Sequence, residues 1–147
     1  MAGAHWTARA YGVSMSAVHL LRHAQPNYEL AMARSLDFRS RDMAPLTPDG
    51  VDHAHATAEY LRPFRLTAIA SSPMTRTLQT AAHIASDLRL PLWVDIDLRE
   101  WNAGVPDDGT IDDWKRATAQ FRAHTGHPPN GARWESVKHL RVRVTAQ

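Results

Sequence analysis

Apolar positions fall into two patterns that alternate along the chain, short continuous runs and longer stripes at helical spacing. AVHLLRHA, residues 17–24, is a short, mostly apolar run ending in polar residues. That is the pattern of a buried parallel strand whose carboxyl end opens into a site. Residues 25–47, with Pro26, Pro45 and several charges, read as a long connection, and one of this length inside a compact unit is usually functional or ordered by its own turns. Thr47 as cap, Pro48 at the first position and Asp49 in the first turn then predict a helix start. Val51, Ala54, Ala58 and Leu61 form its apolar stripe, and Pro63 ends it. LTAIAS, residues 66–71, predicts a second strand, and Ser72 with Pro73 predicts another capped helix start, its core stripe being Met74, Leu78, Ala81, Ala82, Ala85 and Leu88. Residues 92–96 predict a third strand behind a proline at its edge. Thr110 and Asp113 have the spacing of a capping box before a helix that runs to about His124. A last helix is expected over about residues 133–144.

This order predicts an α/β fold, a mainly parallel sheet whose right-handed crossovers place helices on both faces. Residues 1–16 mix Gly, His, Trp and Arg without period and read as a flexible N-terminal extension, leaving residues 17–147 as one domain. Composition narrows the function classes. The 15 Arg and 2 Lys against 15 acidic residues are dispersed along the chain, so nucleic acid is not expected as a partner. The preference for Arg suits clamps for oxyanions. No cysteine is present, which excludes disulfides, thiol nucleophiles and thiolate metal sites. No apolar run approaches the roughly 18 residues of a membrane span, and the N-terminal stretch lacks a signal-peptide core, so a cytoplasmic protein away from membranes is expected.

Ligands of open α/β sheets sit beyond the carboxyl ends of strands, and reactive residues follow three such ends here. They are Arg22 and His23; Arg76, in the first turn of a helix whose free N–H groups and dipole favour an anion; and Glu100, in LREWNAG after the third strand. Taken singly, each is a residue type common on any surface. Histidines elsewhere offer no metal pair: His53 and His55, two apart on a helix, point about 200° from one another.

Order and context change this reading. LLRHAQP, PLTPDGVDHA, SSPMTRTLQTA and the Leu98, Glu100, Gly104 spacing resemble, in sequence, the blocks of the histidine phosphatase superfamily, the phosphoglycerate-mutase-like enzymes with an Arg-His-Gly-type motif. Ala24 stands where that motif has Gly. ARWES, residues 132–136, is similar to the family's Gly-Glu-Ser segment with Trp134 in place of Gly.

The resemblance implies a phosphomonoester hydrolase working through a phosphohistidine on His23. Arg22 and Arg76 would bind the phosphoryl oxygens, and Glu100 would be the proton donor and acceptor, with no metal or cofactor. The substrate would be a phosphorylated small molecule or a phosphoprotein. In the family a further strand ends in a second pocket histidine, whereas LRVRVTAQ, the last eight residues, contains none. The expected fold is therefore phosphoglycerate-mutase-like without its C-terminal strand, and a homodimer is expected if a strand is exchanged. Two alternatives accompany the hydrolase: a catalytically impaired phosphate-binding or interaction protein of the same family, and a phosphoglycerate-mutase-type phosphotransferase.

Overall fold

The structure is a computed structural model that describes residues 17–34 and 38–145. The expected flexible extension, residues 1–16, lies outside the described residues. Helix α1, Tyr28–Arg34, and a 3₁₀ turn, Phe38–Met43, occupy the long connection. Helix α2, Pro48–Leu61, leads through a 3₁₀ turn at Arg62–Phe64 to strand β1, Ile69–Ser71. Helix α3, Thr75–Leu88, returns the chain to strand β2, Leu92–Val94, which pairs parallel to β1 in the register Ile69 to Leu92, Ala70 to Trp93 and Ser71 to Val94. A 3₁₀ turn, Ile96–Leu98, helix α4, Ile111–Ala123, and helix α5, Val137–Thr145, complete the order. The architecture is thus α/β with a small parallel sheet and helices dominant.

Local signals set the helix starts. The Thr47 hydroxyl accepts from Gly50 N–H at 3.0 Å with Pro48 behind it. Thr110 and Asp113 cap each other reciprocally. Along α2 the expected stripe is buried at Ala54, Ala58 and Leu61, and it packs against Ile84 of α3 with Leu66, Ile69 and Leu88 at the border. Alanines at the contact let the two helix axes approach closely, so small residues form a dense core.

Four expectations are corrected. Residues 17–24 form no strand: the segment has no ladder partner among the described residues, and Val18, Leu20 and Leu21 are exposed. Apolar content predicts burial, but a strand also needs a neighbour to pair with. Second, Ser72 and Pro73 do not open α3. Asp95 N–H donates to the Ser71 carbonyl at 2.9 Å, keeping the chain in the sheet pattern here, and the helix starts after an extended Met74 that makes no side-chain cap. Third, of the predicted α3 stripe Ala81 and Ala85 are buried and Leu88 borders the core, but Ala82 is exposed and Arg76, Thr80 and Ile84 are buried instead. Polar residues enter it because each has a partner. The last helix also begins later than expected, at Val137.

Gly50 is required by contact. A β-carbon there would stand 2.3 Å from the Gln25 carbonyl oxygen, so the start of α2 lies directly on the segment that follows His23.

Candidate active site

Arg76, the second residue of α3, is 3% exposed, and a guanidinium removed from water needs an opposing charge. Glu100 supplies it: Arg76 Nη2 donates to Glu100 Oε2 at 2.5 Å. Nη1 donates to the Arg41 carbonyl at 3.2 Å and lies 3.8 Å from Asp42 Oδ1. Nε has no hydrogen-bond partner among the described residues, so part of the donor fork is uncommitted. The Arg41 guanidinium lies 4.1 Å from the centroid of the Tyr28 ring, and that of Arg76 lies 5.8 Å from the same centroid. Tyr28, Arg41, Asp42, Arg76, Glu100 and Trp114 line a recess of about 50 Å³. The long connection 25–47 thus contributes Tyr28, Arg41 and Asp42 to the recess, and helix α4 contributes Trp114.

His23 lies on the segment that leads to this helix. The next residue, Ala24, donates its N–H to Thr80 Oγ1 at 3.0 Å, and the Thr80 hydroxyl donates to the Arg76 carbonyl at 2.7 Å. Beyond it, Thr47 N–H donates to the Gln25 carbonyl at 3.0 Å, Asn27 N–H donates to the Pro45 carbonyl at 2.7 Å, and Leu46 N–H donates to Gln79 Oε1 at 2.7 Å. Arg76, Gln79 and Thr80 are three and four residues apart, so one helix face brings Arg76 to the site and anchors the chain after His23. His23 Nδ1 is 2.8 Å from the Ala24 carbonyl oxygen. A carbonyl can only accept, so Nδ1 is the donor in this contact, and Nε2 is the ring nitrogen that it leaves unengaged. Arg22 is exposed and makes no hydrogen bond or ion pair among the described residues. The structure thus joins Arg76 to Glu100. It ties the His23 segment to the Arg76 turn through backbone and Thr80, and it leaves the Arg22 and His23 side chains unbonded to that pair.

Sequence reasoning gave no role to Arg143, which is 9% exposed and donates through Nε to Glu135 Oε1 at 2.7 Å and through Nη2 to Oε2 at 3.0 Å. The pairing holds the Glu135 carboxyl below the usual carboxylate range, chiefly through the hydrogen bond from Arg143. A carboxyl lowered in the folded state stabilises the protein above its unfolded value, and that contribution is lost as pH falls through the lower folded value. Glu135→Gln is therefore expected to be less stable than the parent at neutral pH. The gap should persist down to about the ordinary value of 4.5 and close at more acid pH, as measured by urea unfolding across that range.

The profile of the family described as the histidine phosphatase superfamily (branch 1) matches residues 18–147. The chain belongs to the histidine phosphatase superfamily. Among curated superfamily relatives, a probable phosphoglycerate mutase GpmB of Yersinia pestis (strain Pestoides F) is 34% identical over 135 residues, 90% of this chain and 61% of that protein. The chain accordingly spans about three fifths of the length of the curated relatives it matches. The solved structure of Bacillus stearothermophilus YhfR superposes with a TM-score of 0.61 at 23% identity, covering 85% of this chain and 61% of that one. A native mycobacterial glucosyl-3-phosphoglycerate phosphatase superposes with a TM-score of 0.59 at 25% identity, covering 84% and 57%.

Two departures from the superfamily pattern are absorbed here. Ala24 replaces a glycine, yet its φ is not positive and its contribution to the anchor is a backbone N–H, which alanine provides equally. Trp134 is 5% exposed and packs with Trp101 and Phe121 at centroid distances of 6.3 and 5.4 Å, so its bulk is taken up by an aromatic cluster. No helix among the described residues is long and apolar enough to cross a membrane.

Proposed function

We propose that this chain carries the active site of a phosphomonoester hydrolase that works through a phosphohistidine on His23. The observation that carries the reading is the buried Arg76 paired to an exposed Glu100 beside an open recess, one hydrogen-bonded turn from the His23 segment. Nε2 of His23 attacks phosphorus, the phosphorus–oxygen ester bond breaks, and Glu100 in its acid form gives its proton to the departing oxygen. Water then attacks the phosphohistidine as Glu100 takes its proton, the phosphorus–nitrogen bond breaks, and orthophosphate leaves. Arg76, with Arg22 as the second clamp, holds the phosphoryl oxygens through both steps by charge-assisted hydrogen bonds.

The reading predicts hydrolysis of p-nitrophenyl phosphate at mildly acidic and neutral pH. A quenched reaction should contain a phosphoenzyme that is stable to base and labile to acid, as a phosphoramidate is. Absence of both product and phosphoenzyme would remove the hydrolase reading.

One observation favours a binding protein instead: the segment preceding His23 is unpaired and exposed among the described residues. Orthophosphate raising Tm without any turnover identifies that outcome. The curated relatives' name favours transfer to a second hydroxyl, and assay of 3-phosphoglycerate against 2-phosphoglycerate separates that reaction from hydrolysis.

A further inference from the structure

Glu100 presents a difficulty for the chemistry assigned to it. Its side chain is 58% exposed, and residues 99–104 have no regular secondary structure. A carboxylate on such a stretch retains backbone and rotamer freedom that must be lost before it can serve one reacting oxygen. Something outside that stretch has to fix its backbone.

Arg143 of α5 meets this need. Its guanidinium donates through Nη1 to the Asp97 carbonyl and through Nη2 to the Glu100 carbonyl at 3.3 Å, while the fork on Glu135 fixes its own plane. Glu135 adds three further ties to the same stretch: its N–H donates to the Asn102 carbonyl at 2.8 Å, its Oε2 accepts from Asn102 N–H at 3.2 Å, and its carbonyl accepts from Trp101 Nε1 at 2.7 Å. The Gly104 backbone closes the far end, because a β-carbon there would stand 2.4 Å from the Arg133 carbonyl carbon. Two residues thus hold residues 97–102 at five points.

We propose that Arg143, oriented by Glu135, is a positioning residue that holds the Glu100 backbone so that its carboxylate stands at the Arg76 phosphate site. The inference rests on the hydrolase reading for its effect on rate, and on the contacts alone for its effect on order. Lysine cannot replace the arginine, because one ammonium cannot span two carbonyls and a bidentate carboxylate.

The test uses the 147-residue chain with Arg143→Lys, Arg143→Met, Glu100→Gln and the double variant Arg143→Met with Glu100→Gln. For p-nitrophenyl phosphate, both Arg143 variants should lose about 10- to 100-fold in kcat, with KM within about twofold of the parent. The double variant should be no slower than Glu100→Gln alone, since a positioning residue has no effect once the group it positions is gone. A purely structural role would instead add its loss to that of Glu100→Gln, and that result overturns the proposal. If the methionine variants do not fold, the milder Arg143→Lys decides on the kcat and KM split alone.

Hydrogen exchange reads the clamp without turnover. Amides of residues 98–102 should exchange about tenfold or more faster in Arg143→Lys, while those of α2 and α3 are unchanged. Unaltered protection at residues 98–102 overturns the proposal whether or not the parent is active. An inactive parent with accelerated exchange removes the hydrolase reading and leaves the positioning of Glu100 standing.

Discussion

His23→Ala is expected to reduce p-nitrophenyl phosphate turnover to the assay background while leaving the anion site able to bind. Loss of a covalent nucleophile in an enzyme that depends on one costs on the order of 10⁶ in kcat, because no neighbouring group can form the intermediate. The substitution should not disturb the fold. The contacts that seat this segment are made by the Ala24 N–H, the Gln25 carbonyl and the Asn27 N–H, all backbone groups that alanine at residue 23 leaves in place. Thermal melts with and without orthovanadate should therefore show nearly the parent's shift in Tm, and the phosphoenzyme should be absent from quenched samples. Turnover surviving in His23→Ala would show that another group attacks phosphorus. Loss of both turnover and the vanadate shift would place His23 in anion binding rather than in attack.

The converse pattern is expected for Arg76→Lys, which keeps the charge and removes the fork. An ammonium can face either Glu100 or a phosphoryl oxygen as a point charge, but it cannot keep the Arg41 carbonyl while offering a two-pronged fork to an oxyanion. Removing one preorganised donor costs about 10² to 10³ in rate, and the loss should appear in kcat/KM together with a collapse of the vanadate-induced Tm shift. Stability should fall as well, because the replacement leaves the side chain's buried position without its full set of partners. Vanadate stabilisation unchanged from the parent would remove Arg76 from the phosphate site.

What the amino-acid sequence reveals of this fold tracks the range of the interactions concerned. Thr47 with Pro48, and Thr110 with Asp113, are satisfied within a single turn, so the helix starts they predict are the ones found. The strands are shorter than their apolar runs, and residues 17–24 have no ladder partner among the described residues. Ladder pairing depends on a segment distant in sequence, and hydrophobicity carries no information about it. Burial on α3 was misjudged for a related reason. Arg76 and Thr80 look like surface residues by type, yet each is buried by partners 24 and 56 residues away, Glu100 and Ala24. Their three and four residue spacing with Gln79 held a signal for that face, which an apolar stripe alone does not contain. Arg76 and Glu100 became candidates through their motif context, and the structure joins them. Arg143 reaches the Asp97 carbonyl across 46 residues from a short helix with no motif of its own, and no local pattern could have exposed it.

On the proposed reading, the Arg76–Glu100 contact sets the terms on which a phosphate enters and leaves. An incoming dianion would exchange places with the carboxylate already seated on Arg76, so the affinity measured would be the difference between two ion pairs. Orthophosphate should therefore depart readily once formed, giving weak product inhibition. The exchange also releases the Glu100 side chain at the mouth of the recess while its backbone stays held. Docking of the ester and release of the carboxylate, free to take up a proton and stand beside the leaving oxygen, would then be one movement, and in the empty site the carboxylate stays paired to Arg76.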